Sequence, residues 1–104
     1  MREQEMSRFA DNLSRMAGMH AISHDHLAKL LGLSPQTISM WRAGKRSASA
    51  EALLAVGSFF EIDPVALSND DFAELLPLLA QPERFNRIEA KIKRGITRGQ
   101  LTIV

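Results

Sequence analysis

The sequence predicts an all-helical fold: five short helices over the first 67 residues, then a C-terminal helical extension. Two observations carry that prediction. Apolar residues recur three and four positions apart along most of the chain. Residues that start or stop helices punctuate them at short intervals.

Phe9, Leu13 and Met16 predict a first helix over residues 7–17, weakened or ended by Gly18. Ser23 is placed to cap a second helix, its hydroxyl accepting from an early backbone N–H. Leu27, Leu30 and Leu31 form the buried stripe of that helix, Ala28 admits a neighbour, and Gly32 stops it. Ser34 caps a third helix, with Pro35 at the first position, where a missing N–H costs nothing. Ile38 and Trp41 face the core, which leaves Gln36, Thr37, Ser39, Met40 and Arg42 on other faces. Ala43-Gly44 closes this helix and Lys45-Arg46-Ser47 makes a basic turn. Leu53, Leu54, Val56 and Phe60 define a fourth helix over 50–60, and Pro64 opens a fifth through Leu67. Beyond it, Phe72, Leu75, Leu76, Leu78 and Leu79 make a short apolar segment interrupted by Pro77. Residues 83–94 read as a helix with Phe85, Ile88 and Ile92 on one side. Gly95 and Gly99 punctuate the tail, and 101–104 is open between strand and irregular chain.

Composition narrows the function classes. A chain of 104 residues, 45% hydrophobic and 24% charged, suits one soluble domain with a modest core. No stretch approaches a membrane span, and Met1 to Phe9 lacks the apolar run of a signal peptide. The absence of cysteine excludes disulfides and cysteine-based zinc sites, so a cytoplasmic protein without membrane partner, cofactor or metal is expected. The net charge of +1 hides an uneven distribution. Between His26 and Ala50 there is no acidic residue, yet Lys29, Arg42, Lys45 and Arg46 lie there. A second basic run holds Arg84, Arg87, Lys91, Lys93, Arg94 and Arg98, and the acidic Asp70, Asp71 and Glu74 separate the two. A local basic face matters more to a polyanionic partner than the global balance does.

The informative unit runs from Ser23 to Lys45, two short helices joined by a tight turn. Leu27, Ala28, Gly32, Ile38 and Trp41 supply what locks such a pair at a steep angle: a small contact residue, a turn former and an apolar inner face. The segment resembles the lambda-repressor-like (Cro/Xre) helix-turn-helix family. The usual pattern of that family runs Ser-Gln-x-x-Leu-Ala, Gly, Ser-x-x-Thr-Ile-Ser, then Gly-Lys. The resemblance continues through Ala50-Glu-Ala-Leu-Leu-Ala-Val and Phe60-Glu-Ile-Asp-Pro-Val-Ala-Leu, and covers residues 7–67.

That resemblance implies a five-helix DNA-binding domain over 7–67, with 68–104 as an extension. The implied protein is bacterial or phage-encoded and nucleoid-associated. It regulates transcription by binding double-stranded DNA sequence-specifically, as a homodimeric repressor on a palindromic operator. Pro35, Gln36, Thr37 and Met40 fall where family members reach base edges. Ser23, His24, Ser34, Ser39, Arg42, Lys45 and Arg46 fall at or beside backbone-phosphate positions. Two departures stand out. His24 replaces the usual Gln, which makes that contact pH-sensitive. Ala17 and Arg42 replace an Arg–Glu pair, which leaves Arg42 free for DNA.

Other features read more plainly. His20, His24 and His26 are expected as surface histidines rather than metal ligands. The segment 72–79 could cap the core, but Phe72, Leu75, Leu76 and Leu79 are read first as a candidate dimer surface, since they add apolar area after the five-helix unit is complete. The basic 84–98 run is open between a solvated helix face and an auxiliary DNA contact. No phosphate loop, cysteine nucleophile or serine–histidine arrangement suggests an enzyme. Two other functions compete: an antitoxin-type autoregulator whose extension binds a protein partner, and an interaction module that has lost DNA binding.

Overall fold

A computed structural model describes residues 3–97, which form seven α-helices and no strand. They are α1 (Glu3–Met19), α2 (His24–Leu31), α3 (Pro35–Arg42), α4 (Ala50–Phe60), α5 (Pro64–Asn69), α6 (Phe72–Leu79) and α7 (Pro82–Thr97). None of the described helices is long and apolar enough to cross a membrane. The expectations for Gly99 and 101–104 lie outside the described residues.

The first helix is the spine. Phe9, Leu13, Met16 and Ala17 are buried along one stripe, and α1 packs against α2, α3, α5 and α6. Gly18 does not end it. The helix runs on to Met19 and closes at Ala21, which takes the left-handed conformation (φ 55°). There the Ile22 amide returns to the Ala17 carbonyl and the Ala21 amide to that of Gly18. One glycine near a helix end costs only about 1 kcal/mol, less than the burial of Met16 and Ala17 returns.

Polar side chains of α1 fasten the next layer. Asn12 is fully buried, and its amide donates to the carbonyls of Leu67 (3.0 Å) and Asp70 (2.9 Å) at the end of α5. Arg8 donates to the Asn69 carbonyl at 2.6 Å and pairs with Asp71. These contacts satisfy carbonyls that a helix end leaves without partners.

The extension departs from expectation in three ways. Helix α6 passes through Pro77 without breaking. Pro77 cannot donate to the carbonyl one turn back, but both Pro77 and Ala73 are exposed, so water can serve that carbonyl. Leu75 and Leu79, expected at a dimer surface, are each 1% exposed and belong to the core of the single chain. They lie four apart on the inner face of α6, which leaves Leu76 and Leu78 outward and Phe72 half-buried. Finally, Arg87 and Lys91 of the basic run are turned onto α4. Arg87 grips Glu61 through Nε and Nη2, the shorter contact 2.6 Å, and Lys91 donates to the carbonyls of Ser58 and Phe59. The Arg87 hydrogen bond holds the Glu61 carboxyl below its ordinary range. Two cations thus sit at the negative end of the α4 dipole. Lys93 and Arg94 stay exposed, and Arg98 lies outside the described residues.

His20 is not a surface histidine. Its ring is buried, stacked on Phe85 with centroids 4.3 Å apart, and its Nδ1 lies 2.5 Å from a Glu89 carboxylate oxygen. Stacking and a hydrogen bond therefore join the corner after α1 to α7.

Gly57, inside α4, has the opposite role from Gly18. A Cβ there would lie 2.8 Å from the Ile62 carbonyl oxygen and 2.9 Å from Pro64 Cγ. Gly→Ala within a helix ordinarily stabilises by up to about 1 kcal/mol. Gly57→Ala is expected to reverse that sign and lower stability by about 1–3 kcal/mol, because the α4–α5 corner must open. Urea unfolding of both chains checks this, and an unchanged or higher midpoint would refute the tight corner.

Candidate nucleic-acid interface

The two helices α2 and α3, each of eight residues, are built by their caps. Ser23 Oγ accepts from the His26 amide, and Ser34 Oγ accepts from the Thr37 amide and pairs with Thr37 Oγ1 at 2.9 Å. Between the helices, Gly32 takes φ 74° and the Leu33 amide returns to the Ala28 carbonyl at 2.8 Å. That closure leaves only Leu33 and Ser34 between Gly32 and α3, so the chain turns sharply.

The inner side of the pair is apolar. Leu27, Ala28 and Ile38 are fully buried, and Trp41 is 2% exposed with its ring edge-to-face on Phe9, centroids 5.3 Å apart. Every residue expected to lock the pair is in the core except Gly32, an exposed turn residue. Fixing Ile38 and Trp41 inward decides the other face of α3. Pro35, Gln36 and Ser39 are exposed, and Thr37 and Met40 half-buried.

Around that face the charge is positive. Arg42, Lys45 and Arg46 are exposed, and among the described residues no carboxylate forms an ion pair with any of them. The α3 end carries Lys45 outward, because Gly44 (φ 72°) reverses the chain and the Lys45 amide returns to the Met40 carbonyl. Ser23 and Ser34 are exposed as well. Each accepts a cap hydrogen bond, and a hydroxyl that accepts still has its own proton to give.

Arg42 is not a free arm. Its guanidinium lies 3.5 Å from Nδ1 of His24, whose Nε2 is 3.1 Å from Ser14 Oγ. The His24 pKa is held below its ordinary value, first by burial and then by the charge of Arg42, against a smaller pull from Asp25. Ser14 was not legible as a site residue. It precedes His24 by ten positions, and only the packing of α1 on α2 brings the two together. Among the described residues, no group of three or more His, Cys, Asp or Glu gathers where it could hold a metal ion.

A family model described as Helix-turn-helix matches residues 13–67, just over half of the chain, from within α1 to within α5. Comparisons with curated proteins and with solved structures gave no match.

The cap at Ser34 makes a separable prediction. Ser34→Ala removes the acceptor for the Thr37 amide and should cost about 1 kcal/mol of stability. The thermal midpoint of the variant should fall without any nucleic acid present. An unchanged midpoint would mean that the cap does not hold α3.

Proposed function

Because the chain belongs to the Cro/C1-type helix-turn-helix family, we propose that it is a sequence-specific regulator of transcription that binds double-stranded DNA as a homodimer and represses. The observation that carries this reading is the outer face of α3. Pro35, Gln36 and Ser39 stand exposed there with Thr37 and Met40 half-buried beside them, edged by cations that no carboxylate among the described residues neutralises.

Each residue has a distinct part. With α3 in the major groove, the Gln36 amide pairs with N6 and N7 of an adenine. Pro35, Met40 and the Thr37 methyl make apolar contact, a thymine methyl being the natural partner. Ser23, Ser34, Ser39, Lys45 and Arg46 hold backbone phosphates, which positions the reading residues without selecting a sequence. Two copies of α3 related by a twofold axis would address half-sites about 34–36 Å apart. With Leu75 and Leu79 inside the core, the self-contact must use other apolar surface. Leu76 on α6 remains, as do Leu54 and Val65 on α4 and α5, which are 59% and 63% exposed. Val65 also edges a cleft lined by Ala48, Ala50, Leu53, Pro64, Ser68 and Asn69, none of them charged. Repression follows from occupancy alone, since a dimer covering a promoter needs no further contact surface.

Selection from random duplexes tests the reading, and a palindromic motif bound more tightly than random DNA is the expected result. Failure to bind any duplex at low salt would sink it. Two substitutions then separate reading from positioning. Gln36→Ala should cost about 1–3 kcal/mol on the selected site and nothing on random DNA. Arg46→Ala should weaken both alike and reduce the salt slope by about one unit. Equal behaviour of the two variants on both duplexes would overturn the division of roles.

A further inference from the structure

The contact between His24 and Arg42 deepens the DNA-binding reading and rests on it. An arginine side chain offers only donors. A guanidinium nitrogen 3.5 Å from His24 Nδ1 therefore makes that ring nitrogen the acceptor. The ring proton is then on Nε2, which donates to Ser14 Oγ at 3.1 Å. Both contacts belong to the neutral imidazole. Protonating Nδ1 would remove the acceptor and set two cations face to face.

The charges around the ring are few. Asp25, next along α2, favours the proton, while Arg42 of α3 opposes it. On α1, Asp11 lines the same cleft as Ser14 and Arg42, but its carboxylate is committed to Arg15 at 2.9 Å. Helix α4 also packs on α2, yet among the described residues it brings no charge that acts on the ring. The Arg42 guanidinium and a protonatable ring nitrogen thus lie side by side, and among the described residues no carboxylate forms an ion pair with either.

We propose that this side-by-side pair takes one phosphate oxygen of the DNA backbone and that His24 gains a proton as it does so. A phosphate placed there accepts from both Nδ1–H and the guanidinium, replacing cation–cation repulsion with two charge-assisted hydrogen bonds. Glutamine, usual at this position in the resembling family, can hold the same phosphate but has no proton to gain.

The sign of the pH dependence follows. Burial and Arg42 hold the free ring below the ordinary value of 6.5. The phosphate raises it in the complex, so the complex binds more protons than its separated parts. Affinity is therefore highest below the pKa of the free ring, falls as pH rises through the interval between the two values, and levels off above that of the complex.

Anisotropy titrations of the full chain against a labelled duplex of arbitrary sequence, at low salt and stepwise from about pH 5 to 8, read this directly. The unsubstituted chain should lose up to about tenfold in affinity per pH unit at the steepest point, as one linked proton requires. His24→Gln should flatten that slope whatever its absolute affinity, and His20 and His26 remain in both chains as internal controls. A second readout needs no substitution: the His24 ring-proton resonance should titrate at higher pH once duplex is added. Parallel slopes in the two chains, or an unmoved His24 midpoint, would overturn the proton linkage and leave DNA binding intact. Absence of binding at every pH would instead remove the DNA-binding reading, and this proposal with it.

Discussion

The seating of Trp41 against Phe9 sets the direction of α3, and with it everything the outer face of that helix presents. A buried tryptophan removes about 200 Å² of surface from water, on the order of 5 kcal/mol of transfer free energy. Its indole N–H finds no hydrogen-bond partner among the described residues, which costs about 1–3 kcal/mol. Burial wins, so the ring stays inside although one polar atom is left unserved. Ile38 lies one turn before it on the same stripe. Two inward anchors on an eight-residue helix leave it no freedom to roll, and the outward residues inherit that rigidity.

Helix α1 distributes this order to the rest of the molecule. Phe9 meets α3, Ser14 meets α2, and Asn12 closes the end of α5. Three side chains within six residues therefore register three neighbours. Because Asn12 donates to two carbonyls from a fully buried position, it specifies geometry as well as burial. An apolar residue of similar size would fill the space but leave both carbonyls without that partner.

The charges are sorted rather than balanced. Arg87 and Lys91 of the extension are consumed at the end of α4, where Glu61 sits in the left-handed conformation (φ 56°) and meets both. A non-glycine residue in that conformation costs of order 1 kcal/mol, which the ion pair and the α4 closure offset. Arg42, Lys45 and Arg46, which no carboxylate among the described residues pairs, gather at the end of α3 and just beyond it. A net charge of +1 is compatible with a strongly electropositive face for this reason.

The sequence by itself determined the local features of this protein. Serine caps, Pro35 at the start of α3, Gly32 at the end of α2 and the Ile38–Trp41 stripe are set by interactions within a few residues, so spacing alone exposes them. The five-helix order, the helix boundaries of α4 and the outward face of α3 follow from the same short-range rules. Tertiary structure decided what depends on distant partners. Whether Leu75 and Leu79 faced a second chain or their own core turned on where α6 lies against α1 and α7, which no periodicity encodes. The burial of His20 needed Phe85 and Glu89, and the placement of Arg87 and Lys91 needed the end of α4. The surroundings of His24 are the plainest case. A histidine at the start of α2 is legible from the chain, but its lowered pKa comes from burial and from Arg42, eighteen residues on, and its Nε2 contact from Ser14, ten residues before. A side chain's chemistry can be read in sequence; the charge that faces it is known only once the helices have packed.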